Sequence, residues 1–420
     1  MTTTTTTTLR RRITAAFLAA AFSLGGAMPA LAKVEGDTIV LGAAISFSGK
    51  YSTNGNHTKN GYELAKDRIN QMGGVEVGGR KYKLHIIYYD DESTPARAAQ
   101  LAERLIQQDG VKFMLGPYSS GLTKAMAPIT ERYKIPMIEA NGASRSLFTK
   151  GYRYLFALLT SADQYLASGV DLLAEKSAVL GKSPSDMKLA LAIENDPFSA
   201  DVRLGIVEAA KRHGMEIIID DKLPKTLDDM SATLNKVKAA KPDALFVSGH
   251  AKGAATAARQ IEQFRVDVPM VAMTHCDSAQ IEAKTPAGAE YTLCARQWQK
   301  QLTYRDDDGV FGGGEDFVRE FRKVYDYEPP YQAAESAAAV QLWADVFRRA
   351  QSFDPQVLRD VIAETDMQTF YGNIRFDETG KNIAKPMVMS QILDSDYKVV
   401  APTQWATTPP VIPRPKWSER

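Results

Sequence analysis

Two short loops carry the side chains best suited to hold a small anion. Tyr118-Ser119-Ser120 follows the apolar run Val111 to Leu115, and Asn141-Gly142-Ala143-Ser144 follows Ile135 to Ile138. In an open parallel sheet such loops lie at the carboxyl ends of strands, where unpaired N–H groups of helix starts favour a negative group. Ser119 or Ser120 also reads as a plain helix cap, and a cap and a ligand contact are compatible. Groups for covalent or redox chemistry are sparse. The chain has no G-x-S-x-G elbow, Walker loop, dinucleotide fingerprint or H-E-x-x-H, and its five histidines stand singly, which argues against an enzyme. Cys276 and Cys294 match neither a redox nor a zinc spacing, so no metal and no cofactor is expected. In an oxidising compartment they either close one disulfide or stand as two buried thiols.

The elements that must position these loops alternate along the chain. Thr38 to Ile45 is apolar on both faces, as a central strand covered by helices requires. A helix follows from about Thr58 to Met72, then a strand from Tyr82 to Tyr89, then a helix that opens at Thr94-Pro95 and ends at Gly110. Val111 to Leu115 and Ile135 to Ile138 complete a four-strand set, with a helix from Ser120 to Tyr133 between them. A second series begins after Tyr152 to Leu158. Its strands are Leu189 to Ile193, Glu216 to Ile219, Ala244 to Ser248 and Met270 to Met273, separated by helices such as Ser199 to His213 and Ala251 to Phe264. Asp316 to Tyr325 and Ala333 to Ala350 read as helices, and Met387 to Leu393 and Lys398 to Val400 as late strands. The expected class is α/β with two doubly wound lobes. A proline-rich tail, 402–420, should run extended over the surface.

Residues 1–32 read as a signal peptide: Arg10 to Arg12, an apolar stretch Ile13 to Leu24, and small residues up to a cleavage point after Ala32. The stretch falls short of the roughly 20 residues a membrane-crossing helix needs, so a mature chain from Lys33 is expected in the periplasm without stable membrane insertion. With 51 basic and 50 acidic side chains, the net charge of +1 offers no footprint for nucleic acid or anionic lipid.

An ordered set of segments then carries a resemblance. It comprises Gly42, Ser48-Gly49, Asn60-Gly61, Ile69-Asn70-Gln71-Met72-Gly73-Gly74, Tyr89-Asp90-Asp91, Gly116-Pro117-Tyr118-Ser119-Ser120, Pro136-Met137-Ile138, Asn141-Gly142-Ala143-Ser144, Pro242-Asp243-Ala244, Thr369-Phe370-Tyr371-Gly372 and Phe376-Asp377-Glu378-Thr379-Gly380. In this order the chain resembles the leucine/isoleucine/valine-type solute-binding proteins, the type I periplasmic binding proteins of ABC importers. The resemblance implies two lobes joined by three crossings, near Leu158, Arg296-Gln297-Trp298 and Lys385. Lobe one would be 33–157 plus 298–385, and lobe two 158–297 plus 386–401. It also implies closure on a small carboxylate-bearing ligand, an importer permease as partner and, by default, a monomer. The other reading of the same fold is a ligand sensor that reports to a membrane receptor.

By the same resemblance, Tyr118, Ser119, Ser120, Asn141, Gly142, Ala143 and Ser144 would hold the ligand carboxylate. Asn54 on the lobe-one rim, with Phe198 and His250 from lobe two, would clamp the rest of the ligand. Phe198 also reads as core and His250 as a solvated loop residue. Trp298 would add a wall or pack the hinge. One position departs from the pattern. Amino-acid binders of this kind present a carboxylate after the strand Met270 to Met273, where this chain has Thr274-His275-Cys276-Asp277. Asp277 comes about three positions late, and Ala143 replaces the threonine that would help hold an ammonium. This favours an aromatic or other organic acid over a branched-chain amino acid, with His250 or His275 supplying a hydrogen bond; a loop shift that brings Asp277 inward would restore the amino acid.

Overall fold

The computed structural model describes residues 1–3 and 34–420, so the leader reading of Arg10 to Ala32 lies outside the described residues. The chain begins β1 (Val34–Glu35), β2 (Thr38–Ile45), α1 (Ser52–Gln71), β3 (Val75–Val77), β4 (Arg80–Asp90), α2 (Pro95–Gln107), β5 (Met114–Leu115), α3 (Ser120–Tyr133), β6 (Met137–Glu139) and β7 (Leu155–Ala157). It continues with α4 (Ala167–Glu175), β8 (Lys188–Glu194), α5 (Pro197–His213), β9 (Glu216–Leu223), α6 (Ser231–Ala240), β10 (Ala244–Ser248), α7 (Ala251–Gln263) and β11 (Met270–Thr274). Three single turns follow, α8 (Cys276–Ala279), α9 (Ile281–Lys284) and α10 (Pro286–Ala289), then β12 (Leu293–Arg296), α11 (Gly314–Tyr325), α12 (Tyr331–Ala350) and α13 (Pro355–Ala363). The hairpin β13 (Asp366–Thr369) and β14 (Gly372–Arg375) precedes β15 (Val388–Leu393) and β16 (Asp396–Ala401).

Two large sheets result, one per lobe, beside the small β13–β14 sheet. The first has the order β3-β4-β2-β5-β6-β7, with β1 antiparallel on β2, and the second has β16-β15-β12-β11-β10-β8-β9. Pairing through β4-β2-β5-β6-β7 and through β12-β11-β10-β8-β9 is parallel, which places the carboxyl ends of each set at one edge. Strand order reverses between β2 and β5 in the first sheet and between β8 and β10 in the second. Such reversals open a crevice beyond the strand ends.

The first helix starts at Ser52, six residues before the expected Thr58, because its glycines sit inside it. A Cβ on Gly55 would lie 2.0 Å from the Ser46 carbonyl oxygen, and one on Gly61 would lie 2.1 Å from that of Ala333. Glycine here lets α1 press onto the sheet and onto the alanine-rich, almost wholly buried α12. Thr94 precedes α2 but does not cap it through its side chain, whose hydroxyl donates to Glu92 O instead. The chain passes between the lobes three times, and the passages are bonded to one another. The Gln297 amide pairs with the backbone of Thr160 at 3.1 and 2.8 Å, Thr160 Oγ1 donates to Lys385 O at 2.7 Å, and Lys385 Nζ donates to Gln297 O. Cys276 and Cys294 form a disulfide between α8 and β12. The tail lies along the second lobe, where Val411 exchanges two hydrogen bonds with the Gln391 side chain. No described helix is long and apolar enough to cross a membrane.

Candidate functional site

Each reversal point sets its own residues at the crevice. The end of β5 delivers Tyr118, β8 runs into Glu194, Asp196 and Phe198, and β10 runs into His250. These meet across the lobes: Tyr118 Oη lies 2.8 Å from His250 Nδ1 and 3.0 Å from His275 Nε2, with all three residues buried. Burial, then the neighbouring His250, holds the His275 imidazole well below its usual range, so it is neutral. Burial pushes the Tyr118 phenol up, so it keeps its proton. With one proton, the hydroxyl donates to one imidazole and accepts from the other.

Around this contact runs a small cavity lined by Tyr118, Ser120, Asn141, Ala143, Leu159, Tyr165, Phe198, His250, His275, Tyr331, Gln332 and Glu335. Its free space of about 10 Å³ admits about one water, so the two lobes are drawn together on it. Rings dominate the wall: Tyr165 and Phe198 meet edge-on at 5.1 Å, and Phe198 and His275 at 5.2 Å. Asn141 Oδ1, His275 Nδ1, both polar atoms of Gln332 and Glu335 Oε1 have no hydrogen-bond partner among the described residues. Buried polar groups in this state can each take a further hydrogen bond.

The sequence-expected residues divide here. Seven of them line the cavity: Tyr118, Ser120, Asn141, Ala143, Phe198, His250 and His275. Ser120 Oγ accepts from Ser144 N at 3.0 Å, and Asn141 Nδ2 donates to Ser336 Oγ at 2.9 Å, which tie the loops to α3 and α12. Ser119 sits at the N-cap of α3 with φ 100°, and its hydroxyl makes no cap bond. Gly142 supports the loop from below, where a Cβ would fall 2.4 Å from Thr123 Oγ1. Ser144 turns its hydroxyl to Asp201 of α5, across the lobes. Asn54 lies buried within α1 rather than on a rim. Trp298 stands apart from the cavity: it packs edge-on against Phe317 and Phe370 at 5.7 and 6.0 Å and donates to Phe370 O, the hinge-packing alternative.

Asp277 does not reach the cavity either. Its Oδ2 accepts from Arg296 at 2.9 and 3.2 Å and from Tyr331 N at 3.1 Å, and its Oδ1 accepts from Ser278 N at 2.9 Å. The pair faces a separate, charged cavity of about 260 Å³ between the lobes. Leu159, Tyr165, Tyr331, Gln332 and Glu335 are lining residues that the sequence reading lacks. Only Glu335 left a trace in the sequence, as an acid inside the alanine-rich stretch of α12. Burial pushes its carboxyl well above the usual range, although Lys385 and Tyr371 oppose this, which favours the neutral acid.

The periplasmic binding protein family model matches residues 38–397. The chain belongs to the periplasmic binding protein family. That family binds solutes rather than transforming them. Leu/Ile/Val-binding protein homolog 8 of Brucella abortus (strain 2308) is 28% identical to this binding protein over 201 residues, 48% of this chain and 49% of that relative. The chain thus spans about half the length of the first curated relatives it matches. Leu/Ile/Val-binding protein homolog 7 of Brucella suis biovar 1 (strain 1330) is 22% identical over 92% of this chain and 95% of its own. Two solved structures share the fold. The isoleucine complex of the branched-chain amino acid binding protein LivJ from Streptococcus pneumoniae aligns with TM-score 0.73 at 22% identity, over 87% of this chain and 100% of that one. A benzoate complex of a solute-binding protein from R. palustris aligns with TM-score 0.75 at 18% identity, over 90% and 99%.

Proposed function

We propose that this binding protein is the extracytoplasmic subunit of an ABC importer and that it captures a small carboxylate without an α-ammonium group, an aromatic acid in particular. The observation that carries the ligand class is the full commitment of Asp277 to Arg296 and to two backbone N–H groups. An ammonium needs a charged acceptor, and a buried cation left unpaired costs several kcal/mol. Burial favours the neutral form of Glu335, the carboxyl that does line the cavity. A neutral acid, the Gln332 amide and the serine hydroxyls can instead donate to a carboxylate, while Tyr165, Phe198 and Tyr331 offer faces and edges to a ring. Relatives in fold bind isoleucine in one case and benzoate in another, so the fold accommodates both classes.

In this reading the lobes are 33–157 plus 298–385 and 158–297 plus 386–401, the leader 1–32 directs export to the periplasm, and the closed form docks on a permease. A ligand that touches both lobes selects the closed population. A thermal-shift screen tests the ligand class with aromatic carboxylates, aliphatic acids and leucine, isoleucine and valine. Aromatic carboxylates should raise the midpoint through linkage. Stabilisation by the three amino acids alone would overturn the assignment.

A further inference from the structure

At the reversal point of the second sheet, three side chains converge that the solute reading leaves unused as a group. Glu194 ends β8, Asp196 precedes α5 and His250 follows β10, and one ligand atom from each lies within 4.8 Å of the others. They are 3%, 7% and 5% exposed. Asp196 uses Oδ1 to cap α5, accepting from Phe198 N and Ser199 N at 2.8 and 3.2 Å, while Oδ2 has no partner among the described residues. His250 Nε2 is likewise without a hydrogen bond, and its nearest acid is Asp196 Oδ1 at 3.5 Å. That separation is close to the roughly 3.3 Å between two ligands of a tetrahedral ion with bonds of about 2.0–2.1 Å.

The opposite nitrogen of His250 supports the same reading. With Nδ1 2.8 Å from the Tyr118 hydroxyl, an Nδ1–H donor leaves the Nε2 lone pair free, 3.5 Å from Asp196 Oδ1. A second partner that fixes the tautomer of a ligating imidazole is the usual companion of a metal site. The local charge is also incomplete. Lys50 Nζ, 3.5 Å from Glu194 Oε1, pairs with Glu194 and not with Asp196, and its side chain is partly exposed. A divalent ion would neutralise both acids.

We propose that Glu194, Asp196 and His250 bind one divalent transition-metal cation of the zinc type, with water completing its coordination. The mixed imidazole and carboxylate set favours zinc over calcium or magnesium, which take oxygen ligands. The site stands on this geometry alone and holds whichever solute the cleft takes.

The test uses the purified protein stripped with chelator and titrated with Zn²⁺ alone, read by calorimetry and by metal content after desalting. One zinc per chain is expected. His250→Gln and Glu194→Gln should each weaken binding at least about tenfold, with folding checked by circular dichroism. Lys50→Met should tighten it by removing the competing cation. His213→Gln, whose imidazole pairs with Asp171 elsewhere on the second lobe, should change nothing. No stoichiometric zinc in the unmodified protein, or equal binding by His250→Gln and Glu194→Gln, would overturn the proposal and leave Nε2 holding a proton toward Asp196. Loss of solute binding with zinc uptake intact would count only against the solute assignment.

Discussion

The two cavities between the lobes are built on opposite principles. The charged one is fixed. Asp277 and Arg296 are paired within it, Arg296 stacks over the Tyr397 ring at 4.5 Å, and the Cys276–Cys294 disulfide sits beside both residues of the pair. The ring-lined one is held by reversible contacts, chiefly one tyrosine hydroxyl shared by two imidazoles of the other lobe. The larger cavity is thus not the more plausible cleft. Its charges satisfy one another, whereas the smaller cavity keeps unpartnered amide, imidazole and carboxyl atoms for a guest. Stability should therefore concentrate on the charged side and ligand affinity on the ring-lined side, and each variant below separates the two.

Arg296→Met should give the largest effect. Removing one partner of a buried ion pair strands the other, at a cost of about 3–5 kcal/mol. The Asp277 carboxylate would keep the Tyr331 and Ser278 N–H groups but no cation. Denaturant unfolding should show this loss, while solute affinity stays within about threefold. A matching fall in affinity would erase the distinction between the cavities.

Glu139 sharpens the contrast from the ring-lined side, beneath the Asn141 loop. Burial pushes its carboxyl up to about 8, although the N–H groups of Asn141 and Gly142 and the Thr123 hydroxyl oppose this. Thr123 Oγ1 lies 2.9 Å from Ser119 O and 2.8 Å from Glu139 Oε2. It has one proton for two acceptors, so a protonated Glu139 that donates to Thr123 satisfies all three. The folded state then binds a proton that the unfolded chain has released above its ordinary value near 4.5, so stability falls as pH rises from there to about 8. Glu139→Gln keeps a donor toward Thr123 and cannot ionise. Its unfolding free energy should gain on that of the unmodified protein between pH 5 and pH 8, by up to a few kcal/mol, and level off above. Parallel curves would show that Glu139 is ionised throughout.

The sequence exposed one side of this contrast better than the other. The alternation of apolar runs with amphipathic stretches placed β2 and α3 at their observed bounds, and the order of the Tyr118 and Asn141 loops followed from it. Short or partly polar elements gave no comparable signal: β12 is fixed by strands distant in sequence, and α4 and the β13–β14 hairpin are too short for a clear period. For the site, residues that follow strands were legible because the parallel sheet sends them to one edge. Tyr165, Tyr331 and Gln332 were not, since they enter from a hinge passage and from the start of α12. The commitment of Asp277 was equally hidden. Its partner Arg296 lies beyond three helical turns, and only the folded path from β11 to β12 brings them together.

Tyr118→Phe is the smallest change and the most direct probe of the ring-lined side. Without the hydroxyl, His250 Nδ1 and His275 Nε2 lose their shared partner while they remain buried in the closed form. An unsatisfied buried polar group costs about 1–3 kcal/mol. In an open form both imidazoles meet water, so the penalty falls on closure and not on the folding of either lobe. Solute Kd should therefore weaken about tenfold, equivalent to about 1.4 kcal/mol, while the unliganded protein unfolds at nearly the same denaturant concentration. The ring of Tyr118 stays in place in this variant, so its edge contact with Tyr51 at 5.5 Å is retained. A stability loss as large as that of Arg296→Met, with affinity unchanged, would mean that the hydroxyl braces the fold rather than the closed state. The division of labour between the two cavities would then fail at its most specific point.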